Sequence, residues 1–342
     1  MRTITTVLAL ALLGGCAVSA DDAASTQGAA VVSAKRAGDV AIAADDPALG
    51  FTDDFRKFLS GDYAAYDFAR SDLPGGSAYG GRLEGSDAVK RDPIVFVHGN
   101  SDRGIGGSYD GWDETITYAR AHGYGPQELY AFTWGDANIL LVSQQYHSRA
   151  NVERTRAFLK AVLAYTGASR IDVIAHSMGV TVARKAILGG DASDALAGGS
   201  YDLGPSLGGK VDAFLGIAGG NLGLTSCWAG GPTTPTCGAT NGFYPGTRIG
   251  FGPVVGRSAF LEDLLDRRGE ASWVASMYSP TDEFLGPNAL VWGANTTTIP
   301  GEDATLRLAT GCGHFPSKSR TAAAQIALVE SHDATRAPRT CN

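Results

Sequence analysis

Ser177 lies in the run Ile174-Ala175-His176-Ser177-Met178-Gly179, where a β-branched stretch gives way to helical periodicity. A serine at such a junction sits on a tight turn with its hydroxyl exposed, so its close neighbours must be small. Ala175 is tolerable there and Gly179 suits best. The turn also puts the serine at a helix N-terminus, where backbone N–H groups favour developing negative charge. That is the chemistry of a nucleophile attacking an acyl carbon. It requires two donors for the oxyanion, and the backbone N–H groups of Met178 and of Asn100, in His98-Gly99-Asn100, form the natural pair.

Such a nucleophile also needs a base and an acid, which follow it in the order Ser, acid, His. The chain has 6 histidines, and His314 and His332 are the two downstream of Ser177. His314, in Gly311-Cys312-Gly313-His314-Phe315 just after the last expected strand, is assigned as general base. His332 falls in a polar tail, where exposure to solvent is expected. His98 lies upstream and is read as support for its loop, and His176 points away from its neighbour in the tight turn. Asp282, in Tyr278-Ser279-Pro280-Thr281-Asp282, is placed to reach the far nitrogen of His314 and fix its tautomer. Asp303 is the rival acid, and Asp266 reads as part of a solvated helix face.

Other chemistries lack their residues. No His-Glu-x-x-His pairing, zinc-spaced cysteine cluster, P-loop or Gly-x-Gly-x-x-Gly opening a helix after the first strand is present, so no metal or cofactor is expected. The net charge of -7 argues against a nucleic-acid partner. With 44% hydrophobic residues, whole-chain disorder is excluded. No stretch approaches 18 uninterrupted apolar residues, the usual sign of a membrane-spanning helix.

The elements that must position these residues alternate. Strands are expected at 94–97, 129–134, 171–175, 211–218, 273–279 and 306–309, and helices at 112–121, 144–165, 178–188 and 321–331. This is an α/β fold with a mostly parallel sheet flanked by helices. Residues 51–342 form one domain. Residues 221–256, rich in Gly, Pro and Thr, interrupt the alternation just after a strand end, where open α/β sheets bind ligands; they read as a cap or pocket rim.

Arg2 and the apolar run 7–13 form a secretory signal within residues 1–20. Two processing readings stand. Leu13-Gly14-Gly15-Cys16 resembles a lipobox, which would make Cys16 the first mature residue, lipidated and membrane-attached. Val18-Ser19-Ala20 resembles an ordinary cleavage site. The lipobox reading is preferred: an exported bacterial protein on the outer membrane or cell surface, otherwise secreted, with a monomer favoured over an oligomer. Residues 21–50 read as a flexible tether. Without Cys16, four cysteines remain for an oxidising compartment, and of three connectivities the local one is expected, Cys227–Cys237 and Cys312–Cys341.

These segments together resemble a secreted α/β-hydrolase of the class 2 lipase type, more specifically a lipase-like extracellular polyhydroxybutyrate depolymerase. The matching runs are Pro93-Ile94-Val95-Phe96-Val97-His98-Gly99-Asn100, Tyr146-His147-Ser148, Ala164-Tyr165-Thr166-Gly167 and the serine turn to Val180. They continue with Ala218-Gly219-Gly220, Ser226-Cys227-Trp228, Pro235-Thr236-Cys237-Gly238 and Gly313-His314-Phe315. The resemblance implies Ser177 as nucleophile, Asp282 as acid and His314 as base, with Asn100 and Met178 at the oxyanion. It also implies an ester or lipid substrate. The Asp282-to-His314 stretch looks shorter than in that depolymerase and no aromatic surface for a polymer is evident, which favours a soluble or micellar ester. A different class, an inert surface-binding protein on the same fold, is the alternative. Labelled fatty acid fed to the expressing bacterium is expected on the wild-type chain and not on Cys16→Ser; an unlabelled wild type would remove the anchor.

Overall fold

Runs of residues that are apolar without alternation must be buried on both faces, and such runs build most of the main sheet. The computed structural model describes residues 50–73 and 77–341. Its main sheet comprises β1 (Ile94–Val97), β2 (Leu129–Phe132), β3 (Ile171–His176), β4 (Val211–Ile217), β5 (Trp273–Tyr278) and β6 (Ala304–Arg307). These lie side by side as β6-β5-β4-β3-β1-β2, and every pairing is parallel.

The helices are α1 (Asp53–Leu59), α2 (Asp113–Ala121), α3 (Arg149–Thr166), α4 (Met178–Leu188), α5 (Thr225–Gly230), α6 (Ala259–Leu265), α7 (Pro316–Ser319) and α8 (Ala322–Ser331). Alternate strand residues feed two cores. Val95, Tyr130, Phe132 and Val173 pack with Phe158 of α3 and Val182 of α4, the Phe132 and Phe158 rings stacking at 4.2 Å. Ile94, Phe96, Leu129 and Ile174 pack on the other face with Ile116 of α2 and Leu328 of α8. All described residues fall in one compact unit.

The structure departs from the sequence expectations in places with identifiable causes. Helix α3 begins at Arg149 rather than 144, because the Ser148 hydroxyl accepts from the Asn151 N–H and caps it. Strand β2 stops at Phe132, since the Trp134 N–H turns to donate to His98 Nε2 at 3.0 Å. Strand β6 starts at Ala304, earlier than expected. It is an edge strand, buried only at Leu306, so no apolar run marked it. The 221–256 segment is not unstructured: it holds α5 and a hairpin of Pro245–Arg248 with Val254–Arg257. Hairpins at Asp191–Asp194 with Gly199–Asp202 and at Leu290–Val291 with Ala294–Asn295, together with α1, had no clear sequence signal. Cys227 is joined to Cys237 and Cys312 to Cys341. The signal region, Cys16 and the tether up to residue 49 lie outside the described residues.

Asp172 is an acid inside β3. Its Oδ1 accepts the Ala213 N–H at 2.9 Å, and burial pushes its carboxyl up to about 8. A raised carboxyl contributes stability that is full below the unfolded value and lost as pH rises to the folded one. Asp172→Asn is therefore expected to gain on the wild type between about pH 4 and pH 8, by up to about 1.4 kcal/mol per unit. Denaturant unfolding at both ends of that window checks it, and a constant gap would contradict it.

Candidate active site

Strand β3 ends at His176 and α4 begins at Met178, leaving Ser177 alone in the turn. Its φ of 55° lies in the region that residues with a Cβ avoid, at a cost of about 1–3 kcal/mol. The surroundings enforce it. The Ser177 N–H donates to the Ile217 carbonyl at 2.8 Å. A Cβ on Gly99 would sit 3.0 Å from the Ser177 Cβ. One on Gly179 would sit 2.6 Å from the Val97 carbonyl oxygen and closer still to that of His98. Both glycines allow β1, its following loop and α4 to crowd the serine.

His314 follows β6 and Asp282 follows β5, so adjacent strands deliver them to one edge. His314 Nε2 is 3.0 Å from Ser177 Oγ, and Nδ1 is 2.8 Å from Asp282 Oδ2. Asp282 Oδ1 accepts the N–H groups of Phe284 at 2.9 Å and Leu285 at 2.8 Å. The carboxylate is thus held on both oxygens and buried. With Nδ1–H donating to Asp282, the Nε2 lone pair faces the serine hydroxyl, the geometry that general-base activation requires.

The peptide around His314 is tied as firmly. Its N–H donates to Glu283 Oε2 at 2.8 Å, and its carbonyl accepts from Ser317 Oγ at 2.6 Å and from His176 Nε2 at 3.1 Å. The Cys312 carbonyl accepts from Thr281 Oγ1 at 3.0 Å and from Ser279 Oγ. Glu283, Ser279 and Ser317 were not anticipated; Glu283 and Ser279 reach the His314 loop from a distant segment, and Ser317 bonds it locally, so none leaves a spacing pattern.

Asn100 and Met178 both line the cleft beside Ser177. Met178 opens α4, so its N–H has no acceptor within the helix. The Asn100 amide donates to the Val142 carbonyl at 2.8 Å, which fastens its loop. The rival residues are elsewhere. Asp303 Oδ2 accepts the Val274 N–H near the start of β5, and Asp266 ends α6. His332 caps α8 and stacks on Trp273 at 5.2 Å, only partly exposed. His98 lies flat on Trp134, and burial pushes it down to about 3, so it is a neutral prop for the loop that carries Asn100. Burial pushes His147 down to about 4; its ring bridges the Asn241 carbonyl and Thr181 Oγ1.

The cleft over Ser177 has a volume of about 220 Å³. The 221–256 insertion supplies Leu224, Thr236 and Phe243 to its wall, and Phe284 and Phe315 close the side nearest His314. A turn at Ile139–Leu141, followed by Val142, forms part of the rim and leaves Leu140 85% exposed. Phe284 on the rim is 54% exposed, and Trp228 and Phe251 on the insertion are also exposed. The residues come from separate segments, so no run in the sequence announced them, although Ile139-Leu140-Leu141-Val142 is an apolar run stranded in a loop.

Among solved structures, lipase B of Aspergillus fumigatus is similar over 77% of this chain and 57% of its own, at 15% identity and TM-score 0.51. This chain therefore spans little more than half the length of that protein. A monoacylglycerol lipase of Paleococcus ferrophilus aligns over 75% of this chain and 98% of its own, at 13% identity and TM-score 0.43. An esterase of a Rhodococcus species aligns over 70% and 90%, at 16% and 0.38. The first of these shows the fold, an α/β-hydrolase. Residues 91–327 match the family model described as lipase (class 2), and the chain belongs to that family.

Proposed function

We propose that Ser177, His314 and Asp282 act as nucleophile, base and acid in hydrolysing carboxylic esters through an acyl-enzyme. The observation that carries this reading is the unbroken chain from Ser177 Oγ to His314 Nε2 and from Nδ1 to Asp282 Oδ2, in the cleft. Ser177 Oγ attacks the ester carbonyl carbon as its proton passes to His314 Nε2. Asp282 stabilises the imidazolium, and the N–H groups of Asn100 and Met178 stabilise the oxyanion. Collapse breaks the bond to the alkoxy oxygen, which leaves as the alcohol with the proton from His314. Water, deprotonated by the same ring, then releases the acid and restores Ser177.

The cleft supports one substrate class over others. A small pocket with an exposed apolar rim suits short and medium acyl chains presented from an apolar aggregate. A polyester depolymerase is the second reading, favoured by the same exposed Leu140, Phe284 and Trp228. Clearing of polyhydroxybutyrate granules separates it from a lipase or esterase. An exported location, with or without lipid on Cys16, belongs to the same proposal.

A nitrophenyl ester series from two to sixteen carbons tests the chemistry. Activity is expected to peak at short or medium chains. Ser177→Ala and Asp282→Asn should each lose about 10⁴-fold or more in kcat while staying folded. Near-normal turnover by either variant would move its role elsewhere. A folded wild type inert on every ester and on granules would favour a binding protein.

A further inference from the structure

The segment that follows His314 is bolted to the loop that carries Asn100 by a buried ion pair with no part in the chemistry above. Lys318 Nζ lies 2.6 Å from Asp102 Oδ2, with the side chains 0% and 2% exposed. The same ammonium donates to the Tyr109 carbonyl at 2.9 Å. Asp102 Oδ1 accepts the Arg103 N–H at 2.8 Å. The Asp102 N–H closes a turn onto the Gly99 carbonyl at 3.3 Å, with Asn100 inside it. Between the two segments, the Tyr109 and Phe315 rings stack at 4.0 Å in planes 5° apart.

Lys318 is itself fixed. Its N–H donates to the Phe315 carbonyl at 2.9 Å, and its own carbonyl accepts from Gln325 Nε2 of α8 at 2.6 Å. The base and the oxyanion donor thus come from segments 216 residues apart, counted between Lys318 and Asp102, and joined by this contact. A buried ion pair is a poor source of stability, since apolar residues of equal volume often serve as well or better. Unlike apolar contact, it imposes a distance and a direction.

We infer that Lys318 and Asp102 are positioning residues: their ion pair holds the Asn100 peptide N–H in place relative to Ser177 and His314, and so serves the transition state rather than substrate binding. The inference rests on the oxyanion role proposed above for Asn100.

The full-length double variant Asp102→Asn/Lys318→Met tests it. The variant removes both buried charges, so no lone carboxylate is left inside, and the introduced amide keeps a carbonyl oxygen to accept the Arg103 N–H. On a short nitrophenyl ester, kcat is expected to fall about 10- to 100-fold with KM within about twofold. Affinity for an alkyl boronic acid, whose tetrahedral adduct on Ser177 puts an oxygen at the oxyanion position, should weaken by a comparable factor. Deuterium uptake should rise in peptides from 99–111 and stay unchanged in 171–188. If the double variant does not fold, Asp102→Glu, which keeps the charges but shifts the carboxylate by one methylene, is read by the same three measures. A folded variant with wild-type kcat, boronate affinity and exchange would overturn the inference, as would a rise in KM at constant kcat. If the wild type neither hydrolyses esters nor binds boronate, the reading of the site falls, and with it the oxyanion role. Unchanged uptake in 99–111 would then also dismiss the clamp, whereas increased uptake would retain it as a structural one.

Discussion

The turn at Ser177 places a residue with a side chain at φ 55°, between a strand buried on both faces and a helix with no exposed residue. That conformation is unfavourable alone and persists because β1, β4 and α4 leave the peptide no other path. Gly99 and Gly179 are the complementary constraint. They remove the Cβ atoms that would otherwise hold the His98–Gly99 backbone away from the Ser177 turn. The serine hydroxyl, the start of α4 and the loop after β1 therefore converge by steric necessity, and the remaining residues of the site are placed relative to that point.

His314 has to meet Ser177 from a loop, which is intrinsically less rigid than a strand end. The structure compensates with hydrogen bonds at both sides of its peptide unit, a disulfide at Cys312 and an aspartate whose second oxygen is occupied by two backbone N–H groups. These bonds favour one ring orientation over the alternatives, which matters because a base is useful only within hydrogen-bond reach of the proton it takes. His98 and His147, both neutral through burial, serve the scaffold in the same way. The first braces the loop of Asn100. The second ties α4 to the insertion that walls the cleft.

Much of this was legible in the sequence, for physical reasons that differ by element. Strands β1 to β4 were visible because double-sided burial demands continuous apolar residues, and α4 because a glycine and a small residue flank a serine at its start. Ser177, Asp282 and His314 could be chosen because chain order and strand ends leave few alternatives. The edge strand β6 was misplaced because one of its faces is polar. Residues 144–148 carry helical periodicity, yet the Ser148 cap decides where the helix begins, and periodicity does not register caps. Glu283, Ser279 and the Lys318–Asp102 pair were invisible for a common reason. Each is defined by contact between segments, and a single sequence carries no record of which distant residues meet.

In the proposed mechanism, Ser177 Oγ forms a covalent bond with the acyl group. Intact-mass analysis of enzyme quenched during turnover of a nitrophenyl ester, followed by peptide mapping, tests it most directly. The wild-type protein is expected to be heavier by one acyl group, with the added mass on the peptide containing Ser177 and absent from Ser177→Ala. Turnover with the acyl group on another residue, or undiminished turnover by Ser177→Ala, would contradict it.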